Sequence, residues 1–269
     1  MSVFKMFDRK FSFEKSKIIY GDCLEKMSLI PDNSIDLICA DLPYGVTANG
    51  LDIIIKPSEL WKHYWRIAKP NTAVVLFGQD KFTATMMLSD KNHRYNLIWD
   101  KDLPTGFLNA NRMPLRSHED IMVFYKKQPV YNPQKVMGLP NHSKGKPKKT
   151  ANNNYGDFDF MDNNEVLGDL KHTKSILRFK KPHPSICQHR TEKPVELIEW
   201  IVKTYSNEGA LVLDNTAGSG TLGVACINSN REFILIEKNH NDYEKIKDRV
   251  EAIFKNYGLN AKTLMDESQ

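Results

Sequence analysis

Short apolar runs alternate with amphipathic segments along most of the chain. Residues 17–45 are predicted to form a strand, a short amphipathic helix at 23–29, a turn and a second strand, which together make a compact βαβ unit. Further buried strands are predicted at 73–77, 95–99, 121–125, 210–214 and 233–237, and helices at 60–68, within 78–89, at 194–205, from 221 and at 242–254. This alternation predicts an α/β protein.

The second strand of the βαβ unit stops at a carboxylate. Five apolar or small residues surround Asp36 and lead into Asp41, which is followed by Pro43, Tyr44 and a glycine. A carboxylate at the carboxyl end of a parallel strand points into the crevice where open α/β sheets bind ligands. Because proline stiffens the turn, Tyr44 is held as a flat surface beside the acid. Asp41 and Tyr44 are therefore suited to bind a planar group that carries an amine.

Asp22 ends the first strand as Asp41 ends the second, so both carboxylates are expected at the same edge of the sheet. Two roles are equally supported for Asp22. One is a contact with a ligand. The other is an N-cap, in which the carboxylate accepts from a backbone N–H of the helix that follows.

A second candidate site lies towards the C-terminus. A buried strand ends at Asp214 and is followed by a tight turn with Gly218 and Gly220, a helix from Thr221 and a strand that ends at Glu237. Glycines in such a turn let the backbone approach a ligand at the start of the helix, and an acid about 20 residues further on bonds ribose hydroxyls. This layout predicts a cofactor of the nucleotide type.

Two stretches lack periodicity and are predicted to be loops. Residues 45–59 are expected to form a mobile loop over the strand ends, and residues 100–120 an ordered loop at the rim of the site. His118 and Glu119 end the second loop. A metal site needs more ligands than this pair offers, so no metal is predicted.

The positive charge is concentrated in one segment. Residues 126–190 carry 13 Lys or Arg against 5 Asp or Glu, whereas the whole chain has a net charge of +5. A basic segment interspersed with aromatic and amide residues suits a polyanion, although a solvated, mobile insertion would have the same charge. We therefore divide the chain into one main domain, 1–125 and 191–269, and an inserted region at 126–190.

Overall composition indicates a globular protein outside the membrane. Hydrophobic residues make up 41% and charged residues 26% of the chain, and no apolar run approaches the length of a membrane span. The N-terminus lacks the continuous apolar stretch of a signal peptide, so a cytoplasmic location is expected. Four widely separated cysteines without a CxxC pair argue against a disulfide framework and a zinc site: Cys23, Cys39, Cys187 and Cys226.

Two of these motifs resemble the signatures of DNA amino-methyltransferases. DLPYG at 41–45 is similar to the catalytic D/N/S-P-P-Y/F/W motif, and DNTAGSGTLGVAC at 214–226 is similar to the S-adenosylmethionine loop, usually written DPFxGSGT. Other stretches agree with the family in the same order: GDCLEKM at 21–27, WKHYWRIAKPN at 61–71, RSHEDIMVFYK at 116–126 and HRTEKPVELIEW at 189–200. The similarity covers most of the chain outside the basic insertion.

The order of the motifs resembles the permuted β group of these enzymes. In that group the catalytic motif comes first and the cofactor loop last, and the variable segment between them is the target recognition domain. The resemblance implies a Rossmann-like methyltransferase fold, which is a doubly wound, mostly parallel sheet with one antiparallel strand. It also implies S-adenosylmethionine as cofactor and double-stranded DNA as partner.

The resemblance also implies roles for individual residues. Asp214 would support the turn or lie on the sulfonium side of the cofactor. The remaining cofactor contacts would be Gly218, Ser219, Gly220 and Thr221 at the methionine part, Glu237 at the ribose, Asp22 and Cys23 at the adenine, and Lys193 and Pro194 beside the methionine carboxylate. The catalytic motif would comprise Asp41, Leu42, Pro43 and Tyr44. DNA contacts are expected from Lys144, Lys146, Lys148, Lys149, Lys180 and Lys181.

The chemistry implied for this motif follows from the nature of the substrate. An exocyclic amine on a base is a poor nucleophile because its lone pair is delocalised into the ring. Asp41 and the backbone carbonyl of Leu42 or Pro43 would accept its N–H groups and aim it at the methyl group, while Tyr44 stacks on the base turned out of the duplex. An aspartate at the first motif position favours adenine N6 over cytosine N4.

Two departures from the family motifs keep alternatives open. Leu42 stands where many relatives have a proline, and Asn215, Thr216 and Ala217 replace the common Pro-Phe-x. These departures leave open a DNA-binding module with a weakened active site. An N4-cytosine methyltransferase is a further alternative, because an aspartate at the first motif position does not always mark adenine in the β group. Methylation of glutamine or RNA is less attractive, because those relatives place the cofactor loop first. The sequence leaves open homodimer formation and a companion restriction endonuclease.

Overall fold

The computed structural model describes residues 13–45, 53–139, 169–181 and 192–259. Within these ranges the chain forms ten strands and six α-helices. The strands are β1 (Lys17–Tyr20), β2 (Ile35–Ala40), β3 (Ala68–Gly78), β4 (His93–Thr105), β5 (Arg116–Phe124), β6 (Val136–Met137), β7 (Leu170–Lys171), β8 (Ile176–Arg178), β9 (Leu211–Asp214) and β10 (Glu232–Glu237). The helices are α1 (Cys23–Ser28), α2 (Pro57–Ile67), α3 (Asp80–Ser89), α4 (Val195–Tyr205), α5 (Thr221–Asn228) and α6 (His240–Asn256).

Eight of the described strands form one sheet in the order β1-β10-β9-β2-β3-β5-β4-β8. Within this sheet β5 runs antiparallel to its neighbours β3 and β4, and the other neighbouring pairs are parallel. The predicted α/β fold, a mostly parallel sheet with one antiparallel strand, is confirmed.

Helices cover both faces of the sheet, which explains why its central strands are almost continuously apolar. Alternate residues of β2 face opposite sides. Leu37 and Cys39 join a core with residues of α4, α5 and α6, whereas Ile38 and Ala40 join a core with residues of α1, α2 and α3. The sheet is therefore doubly wound.

The register brings the carboxyl ends of four parallel strands to one edge. Ile38 of β2 pairs with Leu213 of β9, Asp214 pairs with Leu235 of β10, and Glu237 pairs with Tyr20 of β1. The acidic residues predicted for the site follow or end these strands. The expectation that they share one edge of the sheet is confirmed.

The predicted loop at 100–120 is partly wrong. Strand β4 continues to Thr105 and β5 begins at Arg116, and these two residues pair at the end of the ladder. Between them, Phe107–Asn109 form a turn of 3₁₀ helix. The ends of both strands carry polar and exposed residues. The strands still pair there through their backbones, but no alternation of apolar residues marks the pairing in the sequence.

Strand β8 was also not predicted. It pairs in parallel with Ile98–Asp100 of β4, and Leu177 is buried between the exposed residues Ile176 and Arg178. A three-residue strand with one buried position is too short to show a period of two.

The structure divides into two compact units, and the smaller one comprises Pro133–Lys174. In its described residues, β6 and β7 pair antiparallel, Gly138 N donates to Asp169 O at 2.7 Å, and the Thr173 hydroxyl donates to Gln134 O. This unit spans fewer residues than the insertion predicted at 126–190. Its role in target recognition stays a prediction.

The described cysteines are isolated thiols. Cys23, Cys39 and Cys226 are buried and unpaired within the described part of the chain, whereas Cys187 lies outside it. Among the same residues, no helix combines the length and apolar character needed to cross a bilayer.

Candidate active site

The catalytic motif follows β2 directly. One carboxylate oxygen of Asp41 accepts a hydrogen bond from the Tyr44 hydroxyl at 2.7 Å. The Tyr44 ring packs on Phe82 of α3, with 4.7 Å between ring centroids and a tilt of 34°. Leu42 is buried in the core on the α1–α3 side of the sheet. Leu42 packs into this core and so anchors the motif to the sheet, which explains how leucine is accommodated in place of proline.

The Tyr44 hydroxyl is held as a hydrogen-bond donor. Burial raises the pKa of Tyr44 well above its ordinary value, and the negative charges of Asp41 and Glu119 raise it further. The phenol therefore stays protonated and orients one side of the Asp41 carboxylate.

Lys193, predicted as a cofactor contact, lies against Asp41. Its ammonium group forms an ion pair with the second carboxylate oxygen of Asp41 and lies 3.3 Å from Glu119 Oε2. The same Nζ is 5.0 Å from the centroid of the Phe77 ring. Burial disfavours the charge, but Asp41 and Glu119 outweigh that effect and raise the pKa of Lys193. Both carboxylate oxygens of Asp41 therefore have a partner, the Tyr44 hydroxyl on one and the Lys193 ammonium on the other.

Glu119 and Lys101 are site residues that the sequence reasoning missed. Glu119 Oε1 lies 2.7 Å from the ammonium of Lys101. Burial raises the pKa of Glu119, but Lys193 and Lys101 lower it more strongly, so its net shift is downward. A signal was present, because Glu119 continues the alternate positions of Ile121 and Val123, whose side chains face the core. A charged residue on the core face of a strand requires a partner.

The predicted cofactor turn follows β9. The side chain of Asp214 accepts from Thr216 N at 3.0 Å, and Gly220 N donates to Ala217 O at 2.8 Å. Gly218 and Gly220 both have positive φ values, +54° and +73°. A side chain at Gly220 would also place its Cβ 3.0 Å from Ile246 of α6. Glycine at this position meets both a conformational and a packing requirement.

Glu237, predicted to hold a ribose, supports the same turn. Its Oε2 accepts from Gly218 N at 2.8 Å, and its Oε1 accepts from Asn239 N at 2.7 Å. A carboxylate has about four lone-pair positions, so acceptor capacity remains for a ligand after these two bonds.

The Gly-rich turn is also held by an ion pair that the sequence did not predict. Arg249 of α6 donates to Ser219 O at 2.8 Å and forms a 2.7 Å salt bridge with Glu192. Glu192 also accepts from the Thr221 hydroxyl at 3.4 Å, and the hydroxyls of Ser219 and Thr221 lie 2.8 Å apart. The start of α5 is thereby tied to α6 and to the segment before α4.

Asp22 has the N-cap geometry. Its Oδ1 accepts from Leu24 N at 3.0 Å, at the start of α1, and its Oδ2 lies 3.1 Å from Lys238 Nζ. Cys23, the first residue of α1, is buried. The capping role of Asp22 is confirmed, and its contact with adenine stays a prediction.

The catalytic motif and the cofactor turn border one cavity of about 130 Å³. Its wall includes Asp41, Lys193, Asp214, Gly218 and Thr221. Burial, together with the charges of Asp41 and Glu237, raises the pKa of Asp214 to about 7. Among the described residues, no group of three or more His, Cys, Asp or Glu is arranged to hold a metal ion.

The predicted DNA-binding lysines are only partly within the described residues. Lys180 is exposed and Lys181 is half-buried, and the backbone N–H of Lys181 donates to Lys101 O at 3.2 Å, extending the pairing of β8 with β4. Lys144, Lys146, Lys148 and Lys149 lie outside the described ranges. Their contacts with DNA stay a prediction.

The sheet order, the Gly-rich turn and the acidic motif beside it define an S-adenosylmethionine-dependent methyltransferase. The solved structure of M1.HpyAVI in complex with S-adenosylmethionine has the same fold, with a TM-score of 0.57 and 21% identity, covering 87% of this chain and 98% of that one. Residues 35–248 match the model of the DNA methylase family N6_N4_Mtase. The chain belongs to this family, and the predicted class of enzyme is confirmed.

Two curated relatives agree with this assignment. The type II methyltransferase M.HpaI of Haemophilus parainfluenzae is 28% identical over 254 residues, which cover 90% of this chain and 76% of that protein. The DNA adenine methyltransferase YhdJ of Escherichia coli K12 is 27% identical over 252 residues, which cover 86% and 81% respectively.

Proposed function

We propose that the protein transfers a methyl group from S-adenosylmethionine to the N6 amine of an adenine turned out of duplex DNA at a specific site. The observation that carries this proposal is the position of Asp41. Its carboxylate is held by Tyr44 and Lys193 at the wall of the cavity that the Gly-rich turn also borders. Similarity to a DNA adenine methyltransferase supports adenine as the base.

The residues around the cavity suit this cofactor. S-adenosylmethionine supplies an electrophilic methyl group on a positively charged sulfur, and its amino-acid part carries one positive and one negative group. Asp214 and Asp41 offer negative charge to the cationic groups, and Lys193 offers positive charge to a carboxylate. Gly218 and Gly220 present a turn without side chains.

The geometry of the catalytic motif supports the roles proposed for its residues. Asp41 accepts one N–H of the amine, and the backbone carbonyl of Leu42 or Pro43 accepts the other, so the nitrogen lone pair is directed towards the methyl group. Tyr44, supported by Phe82 at 4.7 Å, stacks on the extruded base. Extrusion costs a few kcal/mol, which stacking and pocket contacts offset.

The basic segment at 126–190 is proposed to contact the DNA target. Its excess of positive charge favours phosphate contacts and counterion release. A cytoplasmic enzyme is proposed, and the type II designation of M.HpaI suggests a companion restriction endonuclease for this chain too.

Product analysis tests the proposal. Purified protein is incubated with duplex DNA and S-adenosylmethionine labelled in its methyl group, and the DNA is digested to nucleosides for mass spectrometry. Labelled N6-methyladenine is expected. Labelled N4-methylcytosine would replace the proposal with the alternative base. Binding to DNA without label in either base would instead identify a DNA-binding module with an inactive site.

A further inference from the structure

Four charged side chains form a continuous ion chain that ends at the catalytic motif. Lys101 lies 2.7 Å from Glu119, Glu119 lies 3.3 Å from Lys193, and Lys193 contacts Asp41. The four residues come from the end of β4, from β5, from the segment before α4 and from the residue after β2. Their charges alternate in sign.

Asp41 is the most exposed member of the ion chain, and Lys101, at the far end, is the most buried. The exposed fraction of the side chain is 31% for Asp41, 9% for Lys193, 14% for Glu119 and 4% for Lys101. Removing charges from water is expensive, and replacing a buried ion pair by apolar residues is often neutral or stabilising. Stability alone therefore gives a weak reason for Lys101 and Glu119 to be charged.

The two ammonium groups are also fixed by aromatic rings. Lys193 Nζ is 5.0 Å from the centroid of Phe77, and Lys101 Nζ is 5.7 Å from the centroid of Trp99. Cation–π contact and the Glu119 carboxylate restrict Lys193 to one position. From that position its ammonium meets one oxygen of Asp41, while the Tyr44 hydroxyl meets the other.

We infer that Glu119 and Lys101 are positioning residues for methyl transfer. Through Lys193 they hold the Asp41 carboxylate in the orientation that receives the amine. This inference rests on the proposed function. It assigns a role in the reaction to two residues that lie outside the catalytic motif and the Gly-rich turn.

The ion chain also predicts a change in pH dependence. The titratable groups around Lys193 are Asp41 and Glu119, which contact it, and Asp214 and Cys39, whose pKa values are affected by its charge. Glu119 helps to keep the pKa of Lys193 above its ordinary value in spite of burial. Removal of Glu119 takes away one stabilising charge, so Lys193 loses its proton at a lower pH.

A pair of variants separates positioning from folding. Glu119→Gln alone leaves Lys101 buried without its carboxylate, so the informative variant combines Lys101→Met with Glu119→Gln and removes both charges. As a matched control, Lys69→Met removes the 2.7 Å ion pair with Asp36 at the opposite end of β2. Melting temperature, cofactor Kd, DNA Kd and single-turnover methyl transfer are measured for each.

The double variant is expected to transfer methyl groups at least about tenfold more slowly, with both Kd values within about twofold of the wild type. The alkaline limb of its pH–rate profile is expected to move to lower pH. The control is expected to keep the wild-type rate and profile. A folded double variant with the wild-type rate and profile would overturn the inference. A wild-type enzyme without methyl transfer would refute the proposed function instead.

Discussion

The Thr216 hydroxyl donates a hydrogen bond of 3.1 Å to the backbone carbonyl of Asp41, and so joins the Gly-rich turn to the catalytic motif. Thr216 stands at one of the positions where the chain departs from the common family motif. Its neighbour Asn215, at another such position, is buried and accepts from the Tyr64 hydroxyl at 2.5 Å. Thr216 and Asn215 therefore each make a hydrogen bond that holds the start of the Gly-rich turn.

Thr216→Val tests this junction. Valine keeps the shape of threonine and removes the hydroxyl, so the Asp41 carbonyl loses its partner in the turn. Loss of one such bond is expected to lower the free energy of unfolding by about 1 kcal/mol. Because the carbonyl belongs to Asp41, the proposed acceptor of the amine, methyl transfer is expected to slow about threefold to tenfold, with little change in cofactor affinity. Single-turnover rates and calorimetric titration with cofactor measure the two effects.

Thr216→Ser is the matched control for the valine variant. Serine keeps the hydroxyl and removes only a methyl group, so it is expected to keep most of the rate. If valine and serine variants have the same rate, the hydrogen bond to Asp41 has no part in the reaction.

Asp41→Asn tests the proposed acceptor of the amine. The amide keeps the size of the side chain but loses the charge that pairs with Lys193 and one acceptor oxygen. Methyl transfer is expected to fall about 100-fold or more, whereas the Kd of S-adenosylmethionine changes by only a few-fold. Asp36→Asn, at the other end of β2, serves as a control for charge loss in the same strand. An active Asp41→Asn enzyme would contradict the assigned role.

The parts of the fold that could be predicted are those where burial sets a short, regular pattern. Strands β2, β9 and β10 are buried on both faces, so their apolar runs reveal them, and the acids after them mark the site edge. The ends of β4 and β5 could not be predicted, because polar side chains there leave only backbone pairing.

The partner of Lys193 could not be predicted for a different reason. Lys193 and Asp41 are separated by 152 positions, and their contact depends on the path of the chain around the sheet. Periodicity describes which face a residue occupies, not which distant residue meets it there. The same limit applies to Arg249 and Glu192 behind the Gly-rich turn.

The raised pKa of Asp214 predicts a pH dependence of stability. Burial raises this pKa from 3.8 to about 7, so between these values the folded protein binds a proton that the unfolded chain has released. The free energy of unfolding should therefore fall as the pH rises through that window, and the contribution is constant above it. Asp214→Asn should remove this contribution. Chemical denaturation across the window compares the two slopes, and equal slopes would contradict the shift.

The affinity for the cofactor should also depend on the ionisation of Asp214, but it should rise with pH where the stability falls. If Asp214 faces the cationic side of S-adenosylmethionine, its ionised form binds more tightly. The affinity is then expected to rise about tenfold between about pH 6 and about pH 8 and to be accompanied by proton release near pH 7. Titration calorimetry in buffers of different ionisation enthalpy measures the protons released. A wild-type affinity that is flat with pH would place Asp214 as a support of the turn only.

The lysine run of the basic segment is predicted to contact phosphates. Replacing Lys144, Lys146, Lys148 and Lys149 by glutamine should weaken DNA binding and reduce the slope of log K against log salt by about one for every phosphate that is no longer neutralised. The control replaces four exposed lysines outside the segment with the same loss of charge: Lys17, Lys62, Lys91 and Lys255. Because counterion release depends on phosphates actually neutralised, the control should keep the wild-type slope. Equal slopes for both variants would show that the run is solvated and that the phosphate contacts lie elsewhere.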